Sequence, residues 1–180
     1  MEPLTITFLG TGNAVPTKKR NHTAILLNYK NESILVDCGE GTQRQFRLAE
    51  ISPAKLTRLL LTHWHGDHTL GIPGLFQTLA MSDYQKILKI YGPKNTAQNL
   101  ATLAKIYPIG IKLEVNENSN VIVNEKEFLI ETKQMKHSAP CNAYAFTITE
   151  QNRVDKKKLK KLKITNSPLL GELHKAKDII

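Results

Sequence analysis

Residues 61–71 read LTHWHGDHTLG and set three histidines and an aspartate, His63, His65, Asp67 and His68, within six positions. Imidazole nitrogens and carboxylate oxygens are donors that suit zinc, and related divalent ions accept the same set. In extended chain the side chains alternate with period two, so His63 and His65 face one way. A turn at Gly66, where glycine supplies backbone freedom, would bring Asp67 and His68 to the same small volume from another side. This density of ligands favours a pair of metals over one closed structural tetrahedron. Two metals would lower the pKa of a water held between them towards roughly 7 and stabilise the charge that develops as it attacks phosphorus or a carbonyl carbon. The chemistry indicated is hydrolysis without a covalent intermediate. Trp64 reads as a passenger between ligands. His137, in MKHSAPCN between two expected strands, is the next candidate, delivered by a loop. His22, behind basic residues, and His174 read as surface histidines.

The elements that must position these groups follow from local pattern. Residues 4–9 read as a strand that ends in the glycine-containing GTGNAVP, and 24–29 with 33–36 read as a hairpin. DCGEGTQRQ leaves the second hairpin strand for a helix that runs to Glu50, and Ser52 with Pro53 caps a short turn. The apolar run 56–61 is a buried strand with the histidine cluster at its carboxyl end. Residues 69–81 suit one helix, and 96–107 another with Leu100, Leu103, Ala104 and Tyr107 at core spacing. Shorter strands are expected at 87–91, 111–115, 121–123, 128–132 and 143–148. The alternation points to an α/β chain with helices covering a strand-rich body.

The sequence has 180 residues, 41% of them hydrophobic, enough for one buried core. No apolar run approaches a bilayer span and MEPLTITFLG carries no basic leader, so the expected address is the cytoplasm with no membrane partner. Cys38 and Cys141 are too few for a disulfide framework. The net charge of +9 is concentrated in residues 151–180, where nine Lys/Arg face three Asp/Glu. A polyanion is the natural partner of such a field, and a solubilising basic tail is the plain alternative.

HWHGDH, followed by TLGIPGLFQTL, matches the HxHxDH signature of ribonuclease Z, the transfer-RNA 3′ endonuclease of the metallo-β-lactamase superfamily. FLGTGNAVPTKKRN, DCGEGTQRQF, IYGPKN and HSAPCNAY match further segments of that family in order, so the chain resembles the family over nearly its whole length. The resemblance implies a metallo-β-lactamase-type αββα sandwich, here its amino-terminal half. Residues 1–150 would form a partial domain and 151–180 a basic arm, a truncated tRNA-binding exosite. It implies His63, His65 and His137 as ligands of one zinc and Asp67 and His68 as ligands of a second, with manganese an alternative in activity. Asp67 is then the catalytic residue that orients or deprotonates the attacking water. Thr17, Lys18 and Arg20 lie in the segment that resembles the PTxxRN loop near the RNA end. Lys156, Lys157, Lys158, Lys160, Lys161 and Lys163 stand where the basic part of the family's arm would grip precursor tRNA.

Three departures accompany the match. Ser167 and Pro168 stand where the arm is usually written GP, and Ala143 stands where glycine usually precedes Tyr144. The family's later GDT-like segment, with a bridging aspartate, and its histidine segment, with the last zinc ligand and a proton donor, have no counterpart in residues 1–180. The expected function is removal of the precursor tRNA 3′ trailer, leaving a tRNA 3′-hydroxyl and a trailer 5′-phosphate. A homodimer is the expected assembly of the complete enzyme, and the missing segments leave three explanations open: a truncated product, a fragment of a longer enzyme, or a half that pairs with a separate carboxy-terminal half. An incomplete RNA-binding or assembly fragment and a small-phosphodiester hydrolase remain open alternatives.

Overall fold

The computed structural model describes residues 3–117, 120–149 and 161. β1 (Thr5–Gly10), β2 (Ala24–Tyr29) and β3 (Glu32–Val36) form an antiparallel meander. β4 (Arg58–Leu60), β5 (Ile87–Gly92) and β6 (Lys112–Glu117) continue the sheet in parallel, giving the order β1-β2-β3-β4-β5-β6. Parallel neighbours need crossover connections. These run through α1 (Thr42–Leu48) and a 3-10 turn (Pro53–Lys55), then α2 (Gly66–Thr69) and α3 (Ile72–Met81), then α4 (Thr96–Ile106).

The helices share one face of the sheet. Leu35, Leu59 and Ile90 stand in register on neighbouring strands and point into a core with Phe46 of α1, Leu75 and Leu79 of α3 and Leu100 of α4. Each fully buried leucine or phenylalanine contributes roughly 1.5–3 kcal/mol. The alternate residues Ile34, Leu60 and Tyr91 point the other way. They meet a second, antiparallel sheet of β7 (Val121–Asn124), β8 (Phe128–Met135) and β9 (Cys141–Ile148) through Val123, Phe128 and Ile130. Arg58 lies between the sheets, ion-paired with Glu32 and 5.7 Å from the Phe128 ring centroid. Among the described residues the architecture is a mixed α/β sandwich of three layers, helix, sheet and sheet.

Several local expectations need correction. The expected helix 69–81 is interrupted, because the Gly71 N–H donates to the Cys38 carbonyl (2.9 Å) rather than along a helix. Leu103 packs on the core, but Ala104 is exposed, and Tyr107, the extended residue that ends α4, is also exposed. Ser52 precedes the 3-10 turn without a side-chain cap, so Pro53 is the part of that signal that operates. His22 is not a surface residue: it is 6% exposed, packed behind the Gly39 backbone. Trp64 is no passenger, since its indole N–H donates to Thr96 Oγ1 (2.9 Å) while the ring packs on the helix-side core. Cys38 and Cys141 are both free. No helix among the described residues is long and apolar enough to cross a membrane.

Candidate metal centre

The cluster sits just past the carboxyl end of β4, between its parallel neighbours β3 and β5. Ligand sites of open α/β sheets gather at that end of the strands. His63 follows the strand, His65 is the extended residue that starts α2, and Asp67 and His68 lie on its single turn. Gly66 is the first helical residue and is not among the glycines with positive φ, so the freedom expected there is not used. His137 enters from the other sheet, on the loop between β8 and β9. Two contacts seat that loop: the Asn142 N–H donates to the Thr62 carbonyl (2.8 Å), and the Tyr144 hydroxyl donates to the Leu61 carbonyl (2.8 Å).

One donor atom from each of His63, His65 and His137 falls within 4.8 Å of the others. His63 Nε2 lies 3.1 Å from His65 Nδ1, and His137 Nε2 lies 3.4 Å from the same atom. Ligand nitrogens about 2.05 Å from a tetrahedral zinc stand about 3.3 Å apart. Both separations fit that spacing, and three imidazoles are a donor set zinc accepts. His68 Nε2 lies 3.4 Å from Asp67 Oδ2, an adjacent nitrogen and oxygen pair suited to a second cation.

The support beneath these ligands was not apparent from the sequence. Asp37, the first residue beyond β3, is 2% exposed and holds a left-handed backbone, φ 59°. Its carboxylate accepts His68 Nδ1–H (2.7 Å) and the Thr62 N–H (2.8 Å). The Thr62 hydroxyl lies 2.9 Å from Asp37 Oδ2 and 2.9 Å from His63 Nδ1. The Cys38 N–H donates to the His68 carbonyl (2.8 Å), which ties the β3 exit to α2. The available signal was DCG at a strand end, but the pairing Val36↔Leu60 that sets Asp37 beside Thr62 is a tertiary fact.

Electrostatics separates the two halves of the site. Burial holds His63 below the ordinary imidazole range, and the neighbouring His68 and His65 rings push in the same direction. Burial also opposes the charged form of His68. The Asp37 hydrogen bond and the negative charges of Asp37 and Asp67 outweigh that, and the His68 pKa is raised.

Thr17, Lys18 and Arg20 are exposed and line a cavity of about 410 Å³ together with Lys19 of the same loop and Arg44 of α1. The loop is braced by Thr17 Oγ1, which accepts the Lys19 and Arg20 N–H groups. None of the five candidate metal ligands lines this cavity. Sequence reasoning missed Arg44 because only the packing of α1 against β1 brings it there. Lys161 is exposed; Lys156, Lys157, Lys158, Lys160, Lys163 and His174 lie outside the described residues.

Comparison with known proteins identifies relatives of the chain and of its fold. The family model described as Anti-Pycsar protein Apyc1 matches residues 4–155. A protein of Methanococcus maripaludis (strain C5) named ribonuclease Z is 39% identical over 174 residues, covering 93% of this chain and 55% of the relative. The crystal structure of the short form of human tRNase Z superposes with a TM-score of 0.72 at 25% identity, covering 79% of this chain and 63% of that one. The metallo-beta-lactamase fold protein YhfI of Bacillus subtilis superposes with a TM-score of 0.68 at 22% identity, over 81% of this chain and 59% of that one. The second likeness concerns the fold alone. The chain spans about half the length of the curated relatives it matches.

Proposed function

We propose that this chain, which belongs to the family described as Anti-Pycsar protein Apyc1, is the metal-holding portion of a metal-dependent endoribonuclease that removes the 3′ trailer of precursor tRNA. The observation that carries the reading is the convergence of three imidazole nitrogens, 3.1 and 3.4 Å apart, beside an aspartate–histidine pair, in a chain that matches ribonuclease Z along its length. His63, His65 and His137 would hold one Zn²⁺, and Asp67 and His68 the second, with Mn²⁺ an alternative in activity. When bound, the metals supply Lewis acidity at the phosphoryl oxygens and lower the pKa of water.

The side chains supply the rest of the chemistry. Asp67 would orient the attacking water and take its proton on a carboxylate oxygen. Water adds to phosphorus and the bond from phosphorus to the tRNA 3′ oxygen breaks. That oxygen takes up a proton, and the trailer keeps a 5′-phosphate. Thr17, Lys18 and Arg20, reinforced by Lys19 and Arg44, would meet backbone phosphates. Residues 151–180 would act as an arm, gripping tRNA through Lys156, Lys157, Lys158, Lys160, Lys161 and Lys163. The bridging aspartate and last histidine would come from a carboxy-terminal half, in a cytoplasmic homodimer.

The test incubates a 3′-extended precursor tRNA with the zinc- and manganese-loaded chain, alone and with a carboxy-terminal half. Cleavage to a tRNA 3′-hydroxyl in either arm supports the reading; tRNA binding with no cleavage in any arm rejects it for an RNA-binding fragment. A second reading, hydrolysis of small phosphodiesters, is favoured by the exposure of His65 and His137, which leaves the metal donors open to substrates of any size. It predicts turnover of bis(p-nitrophenyl) phosphate that survives deletion of residues 151–180, with no preference for tRNA.

A further inference from the structure

The Asp37 carboxylate is nearly sealed from water and must find its hydrogen-bond donors within the protein. His68 Nδ1–H meets Oδ2 at 2.7 Å and the Thr62 N–H meets Oδ1 at 2.8 Å. The Thr62 hydroxyl oxygen stands 3.0 and 2.9 Å from the two carboxylate oxygens. A hydroxyl has one proton to donate. Were it directed at His63, the Thr62 oxygen would face two carboxylate oxygens with no proton between them. The proton therefore points to Asp37, and the hydroxyl oxygen is left to accept. Two ring nitrogens remain beside it, His63 Nδ1 at 2.9 Å and His68 Nδ1 at 3.4 Å. The His68 hydrogen is directed at the closer Asp37 Oδ2, so His63 Nδ1 is the donor the hydroxyl oxygen accepts from and must carry the hydrogen.

From this chain of contacts we infer that Thr62 is a positioning residue, through which one buried carboxylate sets the tautomers of two histidines in different halves of the metal site. Asp37 fixes His68 directly and His63 through the Thr62 hydroxyl. Both rings are held with hydrogen on Nδ1 and the Nε2 lone pair turned towards the ligand cluster: His63 Nε2 faces His65, and His68 Nε2 faces Asp67. Partners of this kind orient metal-ligating histidines and raise their basicity. Thr62 goes further than a single carboxylate–histidine pair, because its position between His63 and Asp37 couples the tri-histidine group to the aspartate–histidine group. The inference rests on the metal-holding part of the proposed function and not on its RNA substrate.

The test uses the full 180-residue chain and its Thr62→Val and Thr62→Ser variants. Valine keeps the branched shape and loses the hydroxyl, whereas serine keeps the hydroxyl. In the metal-free protein, nitrogen-15 long-range NMR is expected to show His63 and His68 carrying hydrogen on Nδ1. In Thr62→Val that signature should be lost at His63 alone. Zinc affinity, measured by chelator competition, should fall about 10- to 100-fold in Thr62→Val and return to within about threefold of wild type in Thr62→Ser. Hydrogen on Nε2 of His63 in the wild-type protein overturns the inference, as does a Thr62→Val variant that binds zinc like wild type. Equal weakness of the valine and serine variants also overturns it. The NMR measurement needs only the wild-type protein, so it decides even if Thr62→Val does not fold, and it is independent of tRNA cleavage.

Discussion

Asp37 accepts the His68 Nδ1 hydrogen at 2.7 Å across 31 positions of sequence, from a left-handed backbone conformation that Asp and Asn tolerate better than most residues. Asp37→Asn keeps that tolerance and removes the charge, so it isolates the electrostatic role. We expect the metal-free protein to lose about 1–3 kcal/mol of stability in urea unfolding. Zinc affinity should fall about 10- to 100-fold by chelator competition. Unchanged values of both would show that the carboxylate is not needed as an anion.

Each of His63→Ala, His65→Ala and His137→Ala should lower zinc affinity, because each removes one of three converging nitrogens. Metal content and competition binding in the intact protein and the three variants check this. The assignment fails if all three retain wild-type stoichiometry and affinity.

Gly71→Ala should destabilise the protein by more than about 2 kcal/mol, the cost of forcing a rigid contact apart. A Cβ at this position would stand 2.1 Å from the Gly39 carbonyl oxygen and 3.0 Å from that of Cys38, both backbone atoms. The strain falls on the junction of α2 and α3, so zinc affinity should drop with stability. Thermal unfolding within a degree of wild type would contradict the contact.

The two cysteines should differ in reactivity. Burial pushes the Cys38 thiol up to about 12, and it has no exposed surface; the Cys141 pKa is also raised, first by burial, but that residue is partly exposed. Thiolate fraction and access control alkylation. Iodoacetamide at pH 8 should label Cys141 well before Cys38, with labelling of Cys38 requiring unfolding. For Cys38 the folded pKa lies above its ordinary 9.0, so its contribution to stability is complete below pH 9 and declines as pH rises towards 12. Equal labelling rates in the native protein would refute the difference.

The candidate ligands most legible in the sequence are those whose grouping is local. His63, His65, Asp67 and His68 lie within one turn of chain, and the residue types announce their chemistry without any tertiary information. His137 was a candidate from its place in MKHSAPCN between two expected strands, and only the family pattern joined it to His63 and His65. Asp37 and Thr62 meet through the parallel register of β3 and β4, which no periodicity records. The hairpin of β2 and β3 was readable from its alternation and turn. The break at Gly71 was not, because its cause is the carbonyl of Cys38, in the distant segment that leaves β3. His22 looked exposed beside Lys18, Lys19 and Arg20, yet the chain turns inward there and the histidine is covered.

The tri-histidine group draws two donors from the loop after β4 on the larger sheet and one from the β8–β9 loop on the smaller, with His65 and His137 separated by 72 positions. A cation held there is therefore also a clasp across the sandwich, closing a long loop of chain with a reversible bond. Such a closure gains stability with the logarithm of free metal concentration. The rigidity of the β8–β9 loop, and with it the protection of that segment from proteases, would then follow the zinc supply around the protein.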